Sequence, residues 1–150
     1  MLYNYLKVIH ITSASMVLTS MSYCYYLWRT LSKNKHDVNL LDRIQNQTWL
    51  MIIPFGLVQL GTGFTMISLQ HYDYSQTWIV GSVISFMTVI GSWFGFIYFL
   101  LLSEQAIATT KTPSRLSFYR HIQGLLLLLC AAALLCMIFF MANKIMTRYG

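Results

Sequence analysis

Few side chains in this 150-residue chain can do chemistry: four His, three Cys, nine Met, and four Asp plus Glu. His10 is the most suggestive of them. It lies near one end of an apolar run, one helical turn from Lys7. At helical spacing Tyr3, Lys7, His10, Ala14, Val17, Met21 and Cys24 form one seam. Thr12, Ser13, Ser15, Thr19, Ser20 and Ser22 crowd the same stretch. Small residues let helices approach, and hydroxyls can bond across the contact. An ionisable residue inside an apolar run of membrane length is a site hypothesis by default. Three roles are open to His10: ligand to a haem iron, carrier of a proton, or hydrogen-bonded interfacial residue.

A second axial histidine would have to sit at the same depth. His71, at the end of the second apolar run, is the candidate; it equally suits a solvated loop. His36 and His121 fall at the opposite face, roughly 25–30 Å away across a bilayer. The pattern therefore lacks the two mid-membrane histidine pairs of a two-haem bundle. One haem b held by His10, with or without His71, is the cofactor this arrangement allows.

The other reactive residues point to packing. Cys24, Cys130 and Cys136 lie in apolar runs without CxxC spacing, and Cys130 and Cys136 are about 240° apart around a helix. Met137 and Met141 near Cys136 are soft donors of the kind copper(I) accepts, and equally ordinary packing residues. Asp73 and Glu104 belong to opposite faces, which excludes a paired-carboxylate site. Neither a nucleophile–base set nor a phosphate loop is present, and uncharged midplanes argue against a channel or a proton-coupled transporter.

These residues must be positioned by helices in a membrane. The chain is 57% hydrophobic and 9% charged, whereas soluble domains carry about 25% charged residues. That excludes a soluble enzyme and a disordered protein. Four apolar segments stand out, at about 8–28 (reaching back to Leu2), 48–69, 78–102 and 122–142. Each has the roughly 20 residues needed to cross a ~30 Å hydrocarbon core, where the backbone must satisfy itself as helix. The first is too long for the apolar core of a cleavable signal. The links, 29–47, 70–77 and 103–121, read as polar connections, and short links favour antiparallel neighbours.

Seven basic residues fall in the first and third links: Arg29, Lys33, Lys35, Arg43, Lys111, Arg115 and Arg120. Lys7, Lys144 and Arg148 lie on the other side. The positive-inside rule places both termini outside, and explains the net charge of +6 without nucleic acid. Aromatic belts agree: Tyr3, Tyr5, Tyr72, Tyr74, Trp78 and Tyr149 at one interface; Tyr23, Tyr25, Tyr26, Trp28, Trp49 and Tyr119 at the other. In the second span Pro54 can kink the helix, Gly56, Gly61 and Gly63 allow close packing, and Gln59 needs a partner. Together they make room for a flat ligand or simply pack. Gly91 and Gly95 form a GxxxG contact, within the chain or between subunits.

The runs Leu6–Ile11 (LKVIHI), Trp28-Arg29, Pro54 to Thr62-Gly63-Phe64, and Trp78–Ser82 with Trp93 resemble a bacterial family of predicted integral membrane proteins of unknown function. The resemblance covers most of the chain and implies four helices. The first helix is more distantly similar to that of the four-helix bacterial protoporphyrinogen oxidases. That likeness gives His10 the haem-holding role, with Lys7 beside it. The chain departs from those oxidases in reading Trp28-Arg29 where a Pro-Arg exit is expected, and in having no Lys in its third span.

The expectation is an all-α, up-down-up-down four-helix transmembrane bundle forming one integral domain in a bacterial inner membrane. Its partners are the lipid bilayer and a larger membrane complex or a second copy. The expected function is that of a non-catalytic accessory subunit. The alternative is a haem-binding redox or tetrapyrrole-handling protein using His10.

Overall fold

The computed structural model describes the backbone of residues 1–33, 38–108 and 113–146, with side chains for 1–30, 41–106 and 115–141. Every regular element among the described residues is helical: α1 (Leu2–Lys33), α2 (Val38–Gln47), a π segment (Thr48–Ile52), α3 (Ile53–Leu69), α4 (Thr77–Ala108) and α5 (Pro113–Met146). The backbone stays helical at Gln47, Ile52 and Ile53, so α2, the π segment and α3 form one continuous rod. The chain divides into two compact units, Met1–Asp73 and Tyr74–Gly150.

In the first unit α1 packs antiparallel to the α2–π–α3 rod. His10 meets Thr62, and Ser20 meets Gln47, whose amide donates to the Ser20 hydroxyl at 3.2 Å. The wide turn answers Pro54. A proline inside a helix lacks the N–H donor, and its ring presses on the carbonyl four residues back, here Leu50. Leu50 lies within the π segment, where the Ile53 N–H reaches back five residues to the Thr48 carbonyl. The kink expected at Pro54 is thus taken up as one loosened turn. Leu41, Ile44, Thr48, Ile52 and Gln59 are buried along the rod.

Residues 38–47 are helix, where a polar link is expected. The reason is amphipathic spacing: Leu41, Ile44 and Thr48 are buried, while Asp42, Arg43 and Trp49 are exposed. At the other link, α4 runs on to Ala108 and α5 begins at Pro113. Arg29, Arg43, Arg115 and Arg120 therefore stand on helices rather than in loops. Lys33, Lys35, His36, Asp37, Lys111, Lys144, Arg148 and Tyr149 lie outside the residues whose side chains are described.

In the second unit α4 and α5 form an antiparallel hairpin. The Phe140 ring covers Gly81 so closely that an added Cβ would stand 2.7 Å from three ring carbons. Gly95 faces the Leu126 methyls, where a Cβ would stand at 3.3 Å, but Gly91 has nothing within 4 Å. Half of the GxxxG pattern thus makes a contact within the chain. Near the far end of the hairpin the buried Gln123 amide donates to the Phe99 carbonyl at 2.9 Å and to the Ser103 hydroxyl at 2.6 Å. Ser103 donates in turn to the same carbonyl.

Three helical stretches are long and apolar enough to cross a membrane: Leu41–Leu69, Thr77–Ala106 and Arg115–Met141. Leu57, Ile84, Leu125, Leu128, Leu135 and Phe139 on these stretches are each more than 60% exposed. In water such a surface would aggregate; in a bilayer it meets lipid. α1 is long enough, about 48 Å at 1.5 Å per residue, but its hydroxyl residues make it less apolar. Five of those hydroxyls are bonded inside the helix. Thr12, Ser15, Thr19 and Thr30 each donate to the carbonyl four residues back, and Ser13 to that of His10, at 2.8–3.0 Å.

Candidate functional site

The polar residues of the first unit converge where α1 crosses α3. His10 is half-buried, and its Nδ1 lies 2.9 Å from Thr62 Oγ1. Thr62 Oγ1 also lies 2.8 Å from the Val58 carbonyl and 3.1 Å from that of Gln59. The ring edge rests on Gly63, where an added Cβ would stand 3.4 Å from His10 Cε1. Ser13, fully buried one turn on, ties its hydroxyl to the His10 carbonyl. Gly63 brings the two backbones close, and Thr62 meets the imidazole that this approach delivers.

Gln59 precedes Thr62 by three residues and Gly63 by four, so all three share one face of α3. Gln59 is 94% buried, and its side-chain amide makes no hydrogen bond among the described residues. The expected partner for this mid-span amide is thus not supplied by the described part of the chain. Among the described residues the enclosed side-chain polar atom without a partner is Trp93 Nε1, so the Gln59 amide itself still reaches the surface of the described structure.

Lys7 departs from the expected seam. It is exposed, and the buried line on α1 runs through Ser13, Val17, Ser20, Met21, Cys24 and Leu27. The buried spacing follows 3.5 residues per repeat, as in paired helices. Stepping back from His10 on that repeat leads to Leu6 and Tyr3, both half-buried, rather than to Lys7.

His71 lies beyond the end of α3. It adopts a left-handed backbone (φ 51°), and its N–H bonds to the Ser68 carbonyl while that of Tyr72 bonds to Ile67. This is a Schellman cap, which needs one left-handed residue just past the helix. The ring is exposed. Thr62, which holds His10, is seven residues before Leu69, so His71 lies about 10 Å further along the axis. The structure does not bring the two imidazoles together. His121 is exposed on α5.

The remaining candidates disperse. Cys24 and Cys130 are buried and Cys136 is exposed, all three free. Among the described residues no three His, Cys, Asp or Glu gather as a metal-binding group. Trp93 is buried against Phe96 at 5.4 Å, and its indole N–H has no partner among the described residues. Thr62 is the member of this crossing that sequence patterns miss. A threonine in a glycine-rich run reads as packing, and only the crossing of two segments 52 residues apart shows its partner.

Comparison with curated proteins and with solved structures yields no match. Residues 4–145 match the family described as "Predicted integral membrane protein (DUF2269)". With nearly its whole length matched, including every residue of the His10–Thr62 crossing, the chain belongs to this family of integral membrane proteins of unknown function.

Proposed function

We propose that the chain is a four-span protein of a bacterial inner membrane that uses His10 to hold a haem b. α1 serves as the fourth span, with five of its hydroxyls bonded within the helix. The four spans form an up-down-up-down bundle with both termini outside, as the basic residues on the first and third links suggest.

One observation carries the haem reading: His10 is hydrogen-bonded at Nδ1 to Thr62, while the residue is only partly buried. Iron-ligating histidines characteristically bind through one ring nitrogen while the other is hydrogen-bonded, which fixes ring orientation. Gly63 and Gly61 keep the neighbouring face of α3 free of bulk. Bound haem would supply one-electron redox chemistry or a tetrapyrrole-handling role. The chain's own contribution is a single axial nitrogen at a fixed angle, with the polar Gln59 on the α3 face below.

The test is a visible spectrum of the detergent-purified protein, air-oxidised and then reduced with dithionite. The expected result is a Soret band with reduced α and β bands, lost in His10→Ala and kept in His71→Ala. A wild type that stays colourless after expression with haem precursor would overturn the haem reading.

A second reading, an accessory subunit of a larger membrane complex, draws on a different observation. Gly56, Gly61 and Gly91 have nothing within 4 Å of where a Cβ would stand. Open glycines suit the close approach of another helix. A defined subunit co-purifying in mild detergent supports this reading; a chain that elutes alone at every detergent concentration counts against it.

A further inference from the structure

The three contacts of the Thr62 hydroxyl, two of them carbonyl oxygens that can only accept, constrain where its proton can be, and that constrains His10. Thr62 Oγ1 carries one hydrogen. It lies 2.8 Å from the Val58 carbonyl oxygen, which can only accept, and 2.9 Å from His10 Nδ1. If the hydroxyl donated to Nδ1, its oxygen and that of Val58 would face each other at 2.8 Å with no proton between them. If the hydroxyl donates to the carbonyl, as threonines in helices commonly do, its oxygen is left to accept from Nδ1–H. Only the second arrangement puts a proton in both short pairs, with the Gln59 carbonyl at 3.1 Å sharing the hydroxyl hydrogen with that of Val58.

We infer that Thr62 is a positioning residue that holds neutral His10 as the Nδ1–H tautomer, leaving the Nε2 lone pair as the group offered to a ligand. The inference rests on the reading of His10 as the ligand-binding residue and adds the class of ligand. A bare Nε2 binds an electron-pair acceptor, such as a metal centre, or a hydrogen-bond donor. A ligand offering only acceptor oxygens, such as a quinone carbonyl, finds no proton there. The opposite tautomer would reverse that preference, so one hydroxyl on α3 decides which chemistry the site accepts.

The surroundings reinforce the assignment. Gly63 lets the Nδ1–Cε1 edge of the ring lie against α3, where the acceptors are. The Ser13 hydroxyl is engaged with the His10 carbonyl, so neither of these polar neighbours competes for Nε2.

The experiment is long-range 1H–15N correlation of the imidazoles in haem-free, histidine-labelled protein in detergent, near pH 8.5, well above the ordinary histidine value of about 6.5. The His10 signals are identified by their loss in His10→Gln. In the wild type, Nε2, which couples to both ring-carbon protons, is expected to be the unprotonated nitrogen. Thr62→Ser is expected to keep that pattern, and Thr62→Val to convert it to the Nε2–H form. Protonated Nε2 in the wild type overturns the inference, as does a Thr62→Val protein with an unchanged pattern. Should Thr62→Val fail to fold, the wild-type and Thr62→Ser patterns still decide.

Hemin titration separates this inference from the haem proposal. Loss of an outer partner of a metal-binding histidine typically weakens binding 10–100-fold, so Thr62→Val is expected to fall in that range and Thr62→Ser to stay near wild type. Protein that binds no hemin but shows bare Nε2 removes the haem reading and leaves the role of Thr62 standing. Hemin affinity unchanged in a folded Thr62→Val protein counts against Thr62 as a positioning residue.

Discussion

Each hairpin buries a glutamine, and the two are treated differently. In the α4–α5 hairpin, Gln123 gives its amide hydrogens to Phe99 and Ser103 across the helix contact. In the α1–α3 hairpin, Gln59 is buried almost as fully, yet its amide bonds to none of the described residues. Two glycines at the helix contacts differ as well. Gly81 is pressed by an aromatic ring, whereas Gly63 sits at ordinary contact distance from the edge of His10. In the α4–α5 hairpin Gln123 and Gly81 are engaged, while the Trp93 indole N–H has no partner among the described residues and Gly91 stands open. What sets the α1–α3 hairpin apart is an ionisable ring, His10, held at its helix contact.

The largest expected effect tests the tight side of this contrast. A Cβ at Gly81 would stand 2.7 Å from the Phe140 ring, so Gly81→Leu forces the α4–α5 pair apart. Overpacking of this kind costs about 1–3 kcal/mol, occasionally more. Gly63→Ala places its Cβ at 3.4 Å from His10 Cε1 and is expected to cost less than about 1 kcal/mol. Unfolding in mixed micelles, read by helical circular dichroism, compares the two. Equal losses would erase the distinction between the hairpins.

The glutamines provide the next test, and the signs should differ. Gln123→Leu removes two hydrogen bonds across α4–α5 and leaves the Phe99 carbonyl with Ser103 alone. Interhelical bonds in membrane proteins average about 0.6 kcal/mol and reach about 1.7, so a loss of about 1 kcal/mol is expected. Gln59→Leu removes a buried amide that has no partner in the described chain. Replacing such a group with an apolar one of similar size is neutral or stabilising. The same unfolding assay reads both. A Gln59→Leu protein destabilised as much as Gln123→Leu would show that Gln59 has a structural partner, and would weaken the case for a site beside His10.

How much of this was legible in the chain follows from which contacts are local. The apolar runs are, and they mark three stretches able to cross a membrane. The helix over 38–47 is legible only as amphipathic spacing, because its polar residues outnumber the apolar ones and disguise it as a link. Pro54 announces a disturbance but not its form; a loosened turn and a sharp bend share one signal. Lys7 and Leu6 are neighbours, and Tyr3–Lys7–His10 and Tyr3–Leu6–His10 both fit one seven-residue repeat, so spacing alone does not choose between them. His10 stands out as an ionisable residue in an apolar run. Its partnership with Thr62 joins segments 52 residues apart, which periodicity along one helix cannot reveal.

The smallest effect concerns Gly91, where the single chain asks for nothing. A Cβ there meets no atom within 4 Å, and the position is exposed. Gly91→Ala is therefore expected to change stability by less than about 0.5 kcal/mol, as for surface positions generally. That near-silence makes a bulkier change informative. Gly91→Leu should leave the unfolding curve of the isolated chain unmoved, while blocking any helix that packs closely over this glycine. Native-mass or cross-linking analysis of wild type and Gly91→Leu then isolates assembly from folding. Loss of a co-purifying subunit with an unchanged unfolding curve would assign Gly91 to a contact between chains. An unchanged assembly would assign it to lipid, and the functional capacity of the protein would rest on the hairpin that holds His10.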